Sequence, residues 1–133
     1  MLQYIQVSSR SRNELIDITD RVEDLVRKSG VSSGICHLFS LHTTSGITIN
    51  EGADPDVRRD ISRFLATLVP VDAPFAHGEG NSDSHVKSSL VGVSETLLID
   101  GGRLLLGTWQ AVYFCEFDGP RTRKVAVKIV ADR

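Results

Sequence analysis

The chain has 133 residues, 41% of them hydrophobic and 24% charged, with 15 basic and 17 acidic side chains for a formal net charge of −2. That length suits one domain, and the balance is globular, which argues against a general nucleic-acid binder, since that would be basic. No run nears the roughly 20 apolar residues that cross a bilayer, and MLQYIQVSSRSRNEL lacks the core of a signal peptide, so the expectation is a cytoplasmic chain with no membrane partner.

Taken in chain order, Leu2 to Ser8 reads as a strand in which Ile5 and Val7 alternate with Tyr4 and Gln6. Leu15 to Ile18 is a second, short one. Thr19 or Asp20 offers a helix N-cap, and Val22, Leu25 and Val26 give the helix one apolar face. Gly30 suits its C-terminal cap. Gly34 to Thr43 alternates strongly: Ile35, His37, Phe39 and Leu41 share one face, and Cys36, Leu38, Ser40 and His42 the other. Ser45-Gly46 is a turn signal, and Ile47 to Asn50 returns as a strand, so the two runs can pair as a hairpin. Asp54-Pro55-Asp56 begins a helix by capping, fixed φ and favourable charge, with Val57, Ile61, Phe64, Leu65 and Leu68 at helical spacing. Residues 70 to 83 form a polar Pro/Gly loop of a length usually functional or mobile. A short helix is expected from Ser84 to Leu90, capped by Asp83 or Ser84 and ended near Gly92. Four apolar or alternating runs follow, Thr96 to Ile99, Arg103 to Leu106, Thr108 to Phe117 and Thr122 to Val130, separated by Gly101-Gly102 and Asp118-Gly119-Pro120. The expected architecture is one β-rich α+β domain over residues 1 to 133, with two main helices and a minor one packed on an antiparallel or mixed sheet.

Cys36 and Cys115 sit in apolar runs with no C-x-x-C pair, which speaks against a cysteine zinc site and for free buried thiols. The histidines carry more chemistry. His42 ends a strand beside Thr43 and Thr44, His77 lies in the long loop, and His85 opens a helix. Three imidazoles from three segments suit zinc or a similar ion, with an acidic residue such as Glu79 or Asp83, or water, completing the shell. Spacing alone does not bring them together, and solvated loop and cap roles are the more common reading of such scattered histidines. His37, on an apolar strand face, reads as a packed, hydrogen-bonded core histidine. Ser82, Ser84, Lys87, Ser88 and Ser89 surround a helix start, where free N–H groups favour an anion; the plainer reading is a capped surface helix. Asn50 and Glu51 can hold a cation, orient a base, or serve a turn. Gly107-Thr108-Trp109-Gln110 reads as core and turn.

Three long segments together resemble the YjbQ family: LHTTSGITINEGADPDVRRDI, HGEGNSDSHVKSSLVG, and the run from Ser94 through Leu97, Ile99 and Gly102 to Gly107-Thr108-Trp109-Gln110 and Val112. The resemblance covers nearly the whole chain. It implies a small α+β homotrimer with a site of histidines and acidic residues near the subunit interface. By position it implies His42, His77 and His85 as ligands of a divalent metal, zinc or magnesium; His85, Glu51 and Lys87 as the catalytic set; and Asn50, Ser84, Lys87 and Arg103 as groups binding a phosphorylated small molecule. The activity it implies is a transferase reaction, that of a secondary thiamine-phosphate synthase, joining a pyrimidine pyrophosphate to a thiazole phosphate with release of pyrophosphate. A metal-dependent hydrolase or transferase on another phosphorylated molecule, and a non-catalytic trimeric metal- or ligand-binding protein, are the alternatives.

Overall fold

The structure is a computed structural model that describes residues 2–133. The chain order is β1 (Leu2–Ser8), β2 (Glu14–Asp17), α1 (Thr19–Ser29), β3 (Ser33–Ser40), β4 (Ser45–Glu51), α2 (Pro55–Leu68), α3 (Ser82–Val91), β5 (Ser94–Asp100), β6 (Arg103–Leu104), β7 (Gln110–Glu116) and β8 (Thr122–Ala131). The strands form two sheets, a five-stranded one in the order β1-β8-β3-β5-β6 and a three-stranded one in the order β2-β7-β4. Every pairing is antiparallel. The α+β single domain is as expected from the sequence. No helix among the described residues is long and apolar enough to cross a membrane.

The alternation of β3 decides the layering. Cys36 and Leu38 face inward with Ile5, Val7, Val125, Val127, Leu97 and Ile99 from the same sheet. Against them pack Ile47, Val112 and Phe114 of the smaller sheet and Val22 and Val26 of α1. The smaller sheet is covered on its second face too: Leu15, Tyr113, Cys115 and Phe117 meet Ile61 and Leu65 of α2 and Val91 of α3. Central β7 is therefore buried from Ala111 onward, and its sequence is a near-continuous apolar run instead of an alternating one. Each such side chain fully buried contributes about 1.5–3 kcal/mol.

The structure corrects several local expectations. β3 and β4 do not form a hairpin. Both edges of β3 are taken, by β5 and β8, so β4 starts at Ser45 and pairs with β7 in the other sheet. The crossing is pinned by the buried Ser40 and Ser45 hydroxyls, 2.7 Å apart. At α1 the N-cap residue is Ile18, not Thr19 or Asp20; Asp17 Oδ1 instead accepts from the Thr19 backbone N–H at 2.9 Å. Helix α3 starts earlier than expected, with Asn81 in the cap position, neither Asp83 nor Ser84. His37 is not a core residue: it lies on the outer face of β3, half-buried, with Nδ1 2.7 Å from Thr96 Oγ1. Asp54 and Pro55 start α2 as expected, Asp54 accepting from Asp56 N–H at 2.9 Å, and Gly30 ends α1 at φ 72°, where a side chain would be strained.

Candidate functional site

Helix α3 has no apolar stripe, and the residues it buries are Asp83, Ser84, Lys87 and Ser88. Buried polar groups must find partners, and here each does. Lys87 Nζ donates to Asp83 Oδ2 and Asn13 Oδ1, both at 3.1 Å. Asp83 Oδ1 accepts from Arg12 Nη2 at 2.8 Å, and Arg12 Nη1 reaches Asp118 Oδ1 at 3.3 Å. Ser84 donates to the Phe117 carbonyl and Ser88 to that of Ser45. Beside this lies a second buried pair. Glu116 accepts from Ser9 Oγ and Arg123 Nε, each at 2.8 Å, and from Asp118 N–H at 2.9 Å. It also pairs with Arg123 Nη2, which donates in addition to Thr44 Oγ1 at 2.9 Å. Burial pushes the Glu116 carboxyl up, but the hydrogen bonds from Arg123, Asp118 and Ser9, with the Arg123 charge, hold it below its ordinary value.

This polar framework forms the floor of a cleft. One compartment, about 820 Å³, is lined by Phe39, Leu41, Val93 and Gly92 with His42 and His85, and its wall is mainly carbon. An adjoining polar compartment of about 340 Å³ is lined by His42, Thr43, Glu79, Asn81, His85 and Arg121, among others. A third, about 510 Å³, lies between His85 and the loop carrying Phe75 and His77. His85 belongs to all three. Its hydrogen bonds among the described residues run only through its backbone, leaving both ring nitrogens without a partner.

His42 is in a different state. Its Nε2 accepts from the Lys124 backbone N–H at 2.9 Å, so Nδ1 carries the proton and is a donor. Burial lowers its affinity for a second proton, with Arg123 and Arg121 adding to that and Glu116 opposing it. Arg121 donates Nε to the Asp118 carbonyl at 2.9 Å and Nη2 to Asp118 Oδ2 at 3.1 Å. Asn81 Nδ2 donates to that same oxygen at 2.9 Å. Since a carboxylate only accepts, this fixes the amide orientation, and Asn81 Oδ1 is left shielded with no partner.

The structure separates the residues that the sequence grouped. His77 and His85 do meet, with ring centroids 5.9 Å apart at 87° and Glu79 3.6 Å from His77 Nε2. His42 borders the same cleft, but its Nε2 lone pair is occupied, and among the described residues no three His, Cys, Asp or Glu side chains are placed to hold a metal ion. A three-histidine centre is thus not assembled within one chain. Lys87 is 2% exposed and Ser84 fully buried, so neither is available to a phosphate. Arg103 pairs with Asp100 at the Ser33 end of the sheet, seven residues along β3 from Ser40, roughly 23 Å at the usual rise. Asn50 and Glu51 end β4, five and six residues from Ser45, roughly 17 and 20 Å away. There they line a separate hollow with Trp109 and Gln110. The Glu51 carboxylate accepts from Ala53 N–H at 2.7 Å, a turn role, and Asn50 Oδ1 accepts from the Glu51 N–H at 2.8 Å. Trp109 is 64% exposed and not core, while Gln110 Oε1 closes the expected turn on Gly107 N–H at 2.7 Å. Sequence reading missed Arg12, Asn81, Glu116, Arg121 and Arg123. For Arg123 a signal exists: it shares the strand phase of Val125, Val127 and Ile129, where a charge is out of place without a partner.

Residues 3–132 match the family model described as UPF0047 protein YjbQ-like. The chain is 51% identical to the UPF0047 protein MJ1081 of Methanocaldococcus jannaschii, over all of this chain and 96% of that one. It is 47% identical to the UPF0047 protein YugU of Bacillus subtilis, over 98% and 99% of the two. Among solved structures, a YjbQ/UPF0047 family protein from Clostridium acetobutylicum superposes with a TM-score of 0.94 at 50% identity, covering 96% of this chain and 99% of that one. A Sulfolobus solfataricus protein described as of unknown function superposes at 0.95 with 32% identity, covering 99% and 97%. The chain belongs to the YjbQ family. The thiamine-phosphate synthase activity is corrected by the same findings: they give the family of these relatives without an activity. The correction has a physical side, since the cations expected to bind the phosphorylated molecule, Lys87 and Arg103, are respectively sealed in the floor and at the far end of the sheet.

Proposed function

We propose that this YjbQ-family chain binds a small monoanion in the cleft and that His85 exchanges a proton with it. The observation that carries the reading is the imidazole of His85, unpartnered among the described residues and shared by three adjoining compartments. An imidazole with free ring nitrogens has both a donor and an acceptor to offer a ligand, the equipment of a general acid or base. His42 supports it as a neutral N–H donor, and Arg121 as the exposed cation. The ion pairs around the cleft match Arg12, Lys87, Arg121 and Arg123 with Asp83, Glu116 and Asp118. With Glu79, which lines the same compartment, the charges balance, so there is no surplus of cations to hold a pyrophosphate, and Arg121 with the His42 N–H can hold at most a small anion.

Titration of the full chain with sodium acetate, followed by imidazole NMR, tests this. Saturable shifts of the His85 and His42 signals are expected, with Arg121→Gln weakening binding about tenfold. Acetate that leaves both signals unmoved would overturn the reading. Tighter binding of inorganic phosphate than of acetate would restore a phosphorylated ligand. Binding that a chelator abolishes and zinc restores would replace the reading with a metal centre on His77, Glu79 and His85.

The homotrimer remains part of the proposal. Ile35, Leu98 and Val130 share neighbouring register positions and are 38%, 54% and 44% exposed, an apolar row suited to burial against another copy. Sedimentation should give about three times the 14.6 kDa chain mass, and Leu98→Lys should give single chains.

A further inference from the structure

The charge balance of the cleft rests on one movable group. Asp83 is fixed by Arg12 and Lys87, Glu116 by Arg123, and Asp118 by Arg12 and Arg121. Glu79 is the exception. It lines the polar compartment together with Arg121 and His42, yet no lysine or arginine among the described residues pairs with it. Its charged contact is His77 Nε2 at 3.6 Å, and its side chain is 75% exposed.

The backbone that carries Glu79 has few ties to the rest of the chain. Residues 70–80 hold two backbone hydrogen bonds, from Ala73 N–H to the Pro70 carbonyl and from Phe75 N–H to the Ala73 carbonyl, and both close within the segment. Its two ends are fixed, by buried Val69 and by Asn81 in the cap position of α3. Its tip meets the body at the His77 ring, edge-on to His85, and at the Gly80 carbonyl, 3.5 Å from Arg12 Nη2. Beneath it lies the compartment of about 510 Å³ between Phe75 and His77 on one side and His85 and Val86 on the other. Gly78 and Gly80 bracket Glu79. No atom lies within 4 Å of where either would carry a Cβ, and Gly80 stands at φ 79°, so no side chain there hinders rotation. A segment with so few bonds opens at low free-energy cost.

From these observations we infer that Glu79 is a built-in gate of the anion compartment. With the loop in place its carboxylate offsets the Arg121 charge. An anion that reaches Arg121 and the His42 N–H repels Glu79 and displaces the loop tip from His85. The inference rests on the small-monoanion reading and adds the regulation of that site. The charge to be bound and the charge that guards the site have the same sign, so each favours the absence of the other. Occupancy and loop position are thereby linked, and the same movement uncovers the His85 ring.

Calorimetric titration of the full chain and of its Glu79→Gln and Glu79→Asp variants with sodium acetate is the test. Glu79→Gln should bind acetate about fivefold tighter than the parent, the factor that one like charge at contact distance carries in water. Glu79→Asp keeps the charge and should stay within about twofold of the parent. Imidazole NMR supplies the second readout: the nuclear Overhauser contact between the His77 and His85 rings should vanish on saturation with acetate in the parent and persist in Glu79→Gln. Equal affinity of parent and Glu79→Gln, with acetate binding to both, would overturn the inference and leave the monoanion reading standing. A ring contact that survives saturation in the parent would do the same. So would a Glu79→Asp variant that tightens as much as Glu79→Gln, since side-chain length and not charge would then be the cause. Acetate that binds none of the three proteins would overturn both readings.

Discussion

Arg121 and Arg123 stand two residues apart at the start of β8, yet one belongs to the rim of the cleft and the other to its floor. Arg123 is 2% exposed and sealed against Glu116. Arg121 has a half-exposed side chain held along one edge by Asp118. The same contrast separates Lys87, buried with Asp83, from His85 two residues earlier, which keeps both ring nitrogens without a partner. Floor charges are spent on one another and fix geometry. Rim groups are aimed by that geometry and remain open to a ligand. Residue type alone does not tell the two apart; burial and partners do.

The largest effect should come from breaking the floor. Arg123→Ala leaves Glu116 buried without its main partner and should lower unfolding free energy by about 3–5 kcal/mol, read from chemical denaturation. Lys87→Met should cost less, about 2 kcal/mol, because Asp83 keeps Arg12 and its charge stays compensated. Equal losses in the two variants would mean that Arg12 does not hold Asp83.

Acid should weaken the fold around the cleft in two windows. His42 protonates less readily folded than at its ordinary 6.5, so its contribution is complete above that pH and is lost as pH falls through the folded value. The Glu116 carboxyl is held below its ordinary 4.5; its contribution is complete above 4.5 and is lost as pH falls through the folded value. His42→Gln should remove the upper step of a stability-against-pH curve and leave the lower one.

Rim substitutions sharpen the contrast. His85→Ala and Arg121→Gln should change stability by no more than about 0.5 kcal/mol while weakening acetate binding; a large stability loss in either would place that residue in the floor. The smallest effect concerns the thiols. Burial pushes Cys36 to about 11 and Cys115 to about 12, Glu23 adding to the first, so a thiol reagent at neutral pH should label neither until the chain unfolds.

Much of this fold is legible in the sequence because β1, β3, β5 and β8 alternate and each exposes one face. The β3–β4 relation was not legible: alternation shows which face is buried, not which edges are already taken by β5 and β8. The site was half legible. His42, His77 and His85 do surround one region, but Lys87 and Ser84 sit on a helix whose buried face is polar, and the pattern Ser-Asp-Ser-His-Val-Lys-Ser-Ser gives no apolar stripe to tell inside from outside. Arg121 directly follows a turn signal, where a ligand-facing arginine looks like any loop cation.

The docking of α3 has a consequence for how the cleft opens. Its buried side chains, Asp83, Ser84, Lys87 and Ser88, are anchored through directional bonds to Arg12, Asn13, Phe117 and Ser45. A helix seated on grease can roll about its axis; one fastened at four points has a fixed azimuth, and with it the bearing of His85. Undocking would expose little hydrocarbon. Amides of α3 should therefore exchange with solvent hydrogen through an opening whose free energy hardly responds to added urea, whereas those of β7 should follow the steep dependence of global unfolding.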